Sequence, residues 1–422
     1  MNRVVVSGLG VVAPNATGIP AFERALRGMR SGVVAIPELA QAGLACQVGG
    51  KPTLPPSPID AGIPPEQKLY SNTFLDYAVR AGLECWSDAG FQTAADGPLD
   101  VNTGIIIGSV FGGTIETTVT TVAPTVAAGD IRRLGTTVCE RAMGSAGSAR
   151  LAGVLGAGGP TFGLSNACTT GADAILLGHS LVKQGTVKRM LVGGAEGFST
   201  HNSAILDAMR LTTRCWNHAP EKASRPLSSS ASGLVPSAGA GALLLEDYVV
   251  ARERGARIYA ELVGGYMNCG GQRGGGTIFR ANYDAFRECI KRALSSAQVR
   301  PEDIDLINGH FTSTRADARE FHCWKDAVLV GRQNPPFVNA TKSLIGHTIG
   351  ASGAIETIAT ILQLYHGFVH GNVNSEDLHP EILDHSCCIP HTTLQRRCRV
   401  AAKSALGFGD VNCCLILRSI EN

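Results

Sequence analysis

The stretch "TFGLSNACTTGADAILLGHSLVKQG" occupies residues 161–185. It sets Cys168 between a turn of small residues and a run that is apolar on nearly every helical face. Such a helix belongs inside a molecule rather than on its surface, with the cysteine at its start. A second segment, "IGASGAIETIATILQLYHG" (residues 349–367), has the same design, a glycine-rich turn that opens an apolar helix. A further echo pairs "AFERALRGMRSG" (21–32) with "AFRECIKRALSSA" (285–297). By themselves these echoes are equally compatible with a duplicated fold and with coincidence.

Outward from that stretch, glycine closes apolar runs in "VVVSGLGVV", "GIIIGSVFGG", "MLVGGAEGFS", "LINGH" and "ALGFGD". These runs alternate with helical patterns over residues 71–89 and 283–297, so the chain reads as α/β with buried strands. If the repeat is real, the halves meet near residues 247–255, and no low-complexity linker separates them. The proline-rich segment 51–67 reads as a surface loop.

With 422 residues, 44% hydrophobic content and a mean hydropathy of +0.09, the chain can bury a thick core. A net charge of +2 from scattered basic residues gives no nucleic-acid footprint and no polybasic membrane patch. A strand-like run begins within three residues of Met1, and no 18-residue apolar segment occurs, so the expected compartment is the cytoplasm. Thirteen cysteines include no CxxC pair, and most read as reduced, buried small hydrophobes. Neither a metal nor a nucleotide cofactor is indicated, because "GLGVVAPNATG" does not satisfy GxGxxG.

A thiol at the N-terminus of a buried helix faces the positive end of the helix dipole and free backbone N–H groups, which favour thiolate and can hold an oxyanion. Two Gly-His turns supply partners: His310 in "DIDLINGHFTSTRAD" and His347 in "FVNATKSLIGHTIGASGAIE", the latter following Lys342. A nucleophile with two hydrogen-bonding imidazoles suits thioester chemistry.

At these residues the sequence resembles the β-ketoacyl-acyl carrier protein synthases, on the branch with a Cys-His-His triad. "RVVVSGLGVVAPNATG", "SNACTTGADAI", "LVGGAEG", "PEKASRPL", "GAGALLLE", "INGHFTST", "TKSLIGHTIGASGAIE" and "ALGFGDVN" follow in the family's order over nearly the whole chain. The resemblance implies a thiolase-like fold: two pseudo-symmetric βαβαβαββ halves in a five-layered αβαβα sandwich, usually dimeric. The halves would span residues 1–250, with the nucleophile, and 251–422, with the histidines.

By position the resemblance makes Cys168 the acyl acceptor, His310 and His347 the decarboxylation pair, and Lys342 and Glu356 the supporting charges. Phe408 becomes the gate whose N–H completes an oxyanion hole with that of Cys168. Thr312 and Thr314 would hold phosphopantetheine, and Phe111 and Gly112 would line the acyl pocket. The implied partners are an acyl carrier protein bearing acyl and malonyl thioesters, and a second ketosynthase-like chain in a homodimer or heterodimer.

Four departures bear on substrate rather than on reaction. Phe311 stands where the family has glycine and is expected to reshape the pantetheine tunnel. Leu406 and Asp410 alter the gate segment, Asp410 losing glycine's freedom at positive φ. The acidic residues common after "ASRP" are missing. Two alternatives remain: a thiolase, which needs a second active cysteine near Cys413 and Cys414 and lacks a histidine at position 310, and a chain-length-factor-like subunit, which typically lacks the nucleophile.

Overall fold

The computed structural model describes residues 2–58, 60, 71–93 and 97–420. Ten strands carry the architecture: β1 (Val4–Ala13), β2 (Thr103–Gly108), β3 (Thr161–Phe162), β4 (Arg189–Glu196), β5 (Gly239–Asp247), β6 (Ala260–Cys269), β7 (Leu306–Asn308), β8 (Phe337–Asn339), β9 (Val400–Gly407) and β10 (Val411–Arg418). With a short strand, Ala16–Thr17, beside β1, they form one 11-stranded sheet in the order β8-β7-β9-β10-β6-β1-β5-β4-β2-β3. Outward from the central β1–β6 contact, β1-β5-β4-β2-β3 and β6-β10-β9-β7-β8 are the same succession. In each, the inner pairings are antiparallel and the outer two parallel. The chain is therefore a duplicated βαβ unit, as the thiolase-like resemblance implies. The two halves of this sheet touch through only two residue pairs, Val5↔Glu261 and Val6↔Ala260.

Seven helices complete the layers: α1 (Ile19–Arg27), α2 (Thr73–Asp88), α3 (Ala146–Leu155), α4 (Thr170–Lys183), α5 (Tyr283–Ala297), α6 (Asp317–Trp324) and α7 (Ser352–His366). The two apolar helices α4 and α7 pack on each other between the sheets, while α2 and α3 cover one outer face and α5 and α6 the other. The resulting order is helix, sheet, helix pair, sheet, helix. Buried Ile175, Ile355, Ile358 and Leu362 belong to the middle core, together with Leu243 and Leu415 from the two sheets. Each fully buried branched side chain of this kind contributes about 1.5–3 kcal/mol.

The 168–185 and 349–367 echo marks equivalent elements, for α4 and α7 hold the same place in the two repeats. The other echo does not. The outer counterpart of α5 is α2, whereas α1 runs beside β1 and touches α7. The helical patterns at 71–89 and 283–297 are α2 and α5. Between the halves, Asp247 caps a short helix, Tyr248–Glu253, by accepting from the N–H of Val249 and Val250. In the proline-rich loop, residues 51–57 carry no helix or strand, and the Pro52 and Pro55 carbonyls accept from Tyr77 and Arg80 of α2. The rest of that loop is largely outside the described residues.

Candidate active site

Cys168 sits on a sharp elbow between β3 and α4. Ala167 adopts φ +49°, a left-handed conformation that costs a non-glycine residue about 1–3 kcal/mol and signals a position held by its surroundings. Asp173, in the first turn of α4, supplies that hold by accepting from Thr169 Oγ1 and Asn166 Nδ2 at 2.6 Å each. In the second repeat Ile349, three residues before α7 as Ala167 is before α4, also has φ +49°. The duplication thus extends to the strained residue. Cys168 lies on one strained turn and His347 beside the other.

Sγ of Cys168 and one ring nitrogen each from His310 and His347 lie within 4.8 Å of one another, all three residues buried. The imidazoles meet edge to face, their centroids 5.3 Å apart at 85°. Nδ1 of His310 is 3.2 Å from the Lys342 ammonium, a group with only donors. Nδ1 of His347 accepts from the Ile349 N–H at 3.1 Å and lies 2.9 Å from Ser352 Oγ. Both rings are thereby assigned the tautomer with hydrogen on Nε2. Burial, then Lys342, holds both imidazoles well below their ordinary range, so they are neutral. Spacing alone would let the three atoms close on a metal ion, but the adjoining ammonium makes this an electropositive corner. Its two N–H groups suit a carbonyl or enolate oxygen better than a divalent cation.

Lys342 pairs with Glu356 of α7, whose second oxygen is 2.7 Å from Lys403 Nζ, and all three are buried. Burial lowers the affinity of Lys342 for its proton, against the pull of Glu356. Lys403 was not picked out by sequence reasoning. Its signal was a lone lysine within the apolar run "RVAAKSALG".

Asp317 and Glu320 were missed too. Glu320 accepts the N–H of His310 at 2.6 Å and of Phe311 at 2.8 Å, and Asp317 accepts those of Thr312 and Ser313 at 2.8 and 3.0 Å. The histidine turn is therefore clamped to the start of α6 by an acidic pair four residues or fewer from the helix N-terminus, where acids are favoured. Burial raises Glu320 to about 7 and Asp317 to about 6.

The thiolate expectation is corrected. Burial pushes the Cys168 thiol up to about 12, with Lys342 and the Phe408 N–H pulling the other way. The first amides of the helix are committed, those of Thr169 and Thr170 donating to the Asn166 and Ala167 carbonyls, so the resting residue is a neutral thiol. The backbone N–H of Phe408 is directed at Cys168. The hydroxyls of Thr312 and Thr314 are 3.0 Å apart and partly exposed. Phe111 lines a cavity with Phe198, Asn202, Leu206 and Ile349, whereas Gly112 is a turn residue at φ +55° and does not line it.

The Phe311 expectation is also corrected. Its ring is fully buried in the outer core of the second repeat with Phe321, and Leu406 packs against the same cluster. Gly309 makes the room, since a Cβ there would lie 2.0 Å from the Phe311 ring. Asp410 does adopt positive φ, +65°. Arg225, within "ASRP", pairs instead with distant acids, Glu376 and Asp377, at 2.6 and 3.0 Å. Cys413 and Cys414 lie fully buried within β10, not in a turn.

With this geometry, comparison places the chain. The beta-ketoacyl synthase N-terminal domain family matches residues 1–251 and the C-terminal domain family residues 259–376. The chain belongs to the β-ketoacyl synthase family. Over 98% of its length this synthase is 31% identical to the chloroplastic 3-oxoacyl-[acyl-carrier-protein] synthase II of Arabidopsis thaliana, covering 75% of that protein. It is equally identical, over 98% of itself and 97% of the relative, to a putative polyketide beta-ketoacyl synthase 1 of Streptomyces cyaneus. Among solved structures, a beta-ketoacyl synthase from Burkholderia phymatum superposes with TM-score 0.90 at 26% identity, each chain fully covered. The ishigamide ketosynthase/chain length factor gives 0.86 at 26%, again with full coverage. The synthase is an acyltransferase-type condensing enzyme with a Cys-His-His cluster. Among the described residues no helix is long and apolar enough to cross a membrane.

Proposed function

We propose that the synthase condenses an acyl thioester with malonyl-acyl carrier protein by decarboxylative Claisen chemistry, in fatty-acid or type II polyketide assembly. The convergence of the Cys168 thiol with two neutral imidazoles that present Nε2–H carries this reading. In the transfer step Cys168 Sγ bonds to the acyl carbon and the carrier's sulfur departs, taking up the thiol proton. The tetrahedral oxygen is received by the N–H groups of Cys168 and Phe408.

In the condensation step malonyl thioester loses carbon dioxide, and the bonding electrons pass into an enolate whose oxygen accepts from His310 and His347. Neutral donors stabilise that charge without first forming a strong ion pair with the malonyl carboxylate. The enolate carbon then bonds to the acyl carbon, and Cys168 leaves as thiolate, to be reprotonated. Lys342 and Glu356 orient His310, Thr312 and Thr314 hold the phosphopantetheine arm, and Phe111 limits the acyl chain.

The same reading divides the chain into halves at 1–250 and 251–422 and makes it a cytoplasmic protein paired with a second ketosynthase-like chain, identical or not. Relatives named as acyl-carrier-protein synthases support the carrier partner, and the ketosynthase/chain length factor neighbour supports the pairing with a second chain.

The test is to incubate the purified protein with radiolabelled acyl carrier protein thioesters and malonyl thioester, comparing it with Cys168→Ala. Label on the protein and chain-extended product should appear only where Cys168 is present. No acylation by any chain length, even with candidate partner subunits added, would leave a binding subunit instead.

A further inference from the structure

Asp410 is an exception to the preference of positive φ for glycine, and its carboxylate explains why it is there. One oxygen accepts the Gln272 N–H at 2.9 Å and the other the Asn282 N–H at 2.6 Å. These amides are the two ends of a glycine-rich loop, "GGQRGGGTIFRAN" (residues 270–282). The loop is shaped around that group. A Cβ on Gly270 or on Gly276 would lie 2.3 or 2.6 Å from the same Asp410 oxygen.

Two more bonds tie the loop to the gate segment, Gly270 N–H to the Asp410 carbonyl at 2.8 Å and Gly409 N–H to the Ile278 carbonyl at 2.7 Å. At the loop's tip the exposed Phe279 ring meets the Phe408 ring edge to face, with centroids 5.4 Å apart. The backbone N–H of Phe408 points at Cys168.

We propose that Asp410 is a positioning residue, a carboxylate latch that holds the 270–282 loop against Phe408 and so sets access to Cys168. The inference rests on Cys168 being the acyl acceptor. With the latch formed, Phe408 is backed by Phe279 and its N–H stays on the sulfur. With it broken, the loop retains its main-chain bonds, the Asn282 side chain on the Gly270 carbonyl, the Cys269 thiol bridging the Gly271 N–H and the Gly409 carbonyl, and one ring contact, a looser hold from which Phe408 can swing away from the thiol. The latch therefore acts on entry to the site and takes no part in the bond changes.

Asp410→Gly tests this directly, since glycine keeps the +65° backbone and removes only the carboxylate. Gly276→Ala breaks the same latch from the loop side. The probe is iodoacetamide, followed by peptide mass spectrometry at Cys168 and, as a control for general loosening, at Cys85, which is buried in α2. The result expected for both variants is alkylation of Cys168 at least about tenfold faster than in wild type, the scale of losing even one of the two hydrogen bonds to the charged acceptor. Cys85 should stay unmodified, and amide hydrogen exchange should rise over 270–282.

Unchanged Cys168 alkylation in a folded variant, or alkylation of Cys85 rising in parallel, would overturn the latch. Should Asp410→Gly fail to fold, Gly276→Ala decides by the same criteria. Because alkylation reads access and not condensation, failure of the latch and failure of the condensing reading are distinguishable.

Discussion

Glu356 is fully buried between two ammonium groups, those of Lys342 and Lys403, a charge arrangement that only the intact trio sustains. Glu356→Gln would leave Lys342 and Lys403 buried against each other with no counter-charge. Loss of one partner from a buried ionic cluster costs about 3–5 kcal/mol, so the urea midpoint should fall accordingly. Condensation should be lost with it, because Lys342 then no longer fixes the tautomer of His310.

A second carboxyl gives a prediction in pH. Glu196 accepts from Ser109 Oγ and from the N–H groups of Val110, Phe111 and Gly350, yet burial raises it from 4.5 to about 7. The folded state therefore keeps a proton that the unfolded state sheds above pH 4.5. Its contribution to stability is full below 4.5 and is lost as pH rises to 7. In Glu196→Gln that titration is gone. The wild-type advantage over the variant should shrink by roughly 3 kcal/mol between pH 4.5 and 7 in denaturant titrations, while histidine contributions cancel in the difference.

Among elements, the histidine turn was the part least open to sequence reading. The resemblance located His310, Thr312 and Thr314, but Phe311 was expected to reshape the pantetheine tunnel, whereas its ring is buried in the outer core. Side-chain direction in a turn depends on neighbours, and the neighbour that mattered was Gly309, which clears the space for the ring. Gly309→Ala should displace Phe311 and with it His310, lowering condensation and melting temperature together. Gly309→Ala/Phe311→Gly should recover most of the activity, a coupling visible in a double-mutant cycle.

The central helices were legible because their pattern is a physical necessity. A Cβ on Gly171 would lie 2.8 Å from the Ala354 amide, and one on Gly353 would lie 2.4 Å from that of Ala172. The echoed Gly-Ala pairs are thus the crossing point of α4 and α7. Gly32 also makes a close approach, a Cβ there lying 2.4 Å from the Asn15 amide, but residues 285–297 hold no glycine to match it, and that echo paired elements with different places. The acids of α6 and Lys403 went unread because their partners, backbone amides and Glu356, are brought near only by the closed fold.

At the scale of the whole molecule, the elbow of Cys168 belongs to the first repeat, while His310, Lys342, His347 and Glu356 all belong to the second. The strand contact between the repeats is two residue pairs, so packing of α4 on α7 and of each on the opposite sheet carries most of their association. A substrate that reaches both the sulfur and the imidazoles is therefore a staple between the two halves of the chain. An amide analogue of an acyl-pantetheine, present at 100 times its Kd, should add about 2.7 kcal/mol to the unfolding free energy by mass action, measurable by calorimetry. The stabilisation should show as slower opening of the α4–α7 interface in hydrogen exchange. Substrate then protects the protein at the boundary where the duplicated units were joined, and a synthase kept supplied with acyl chains is also one kept folded.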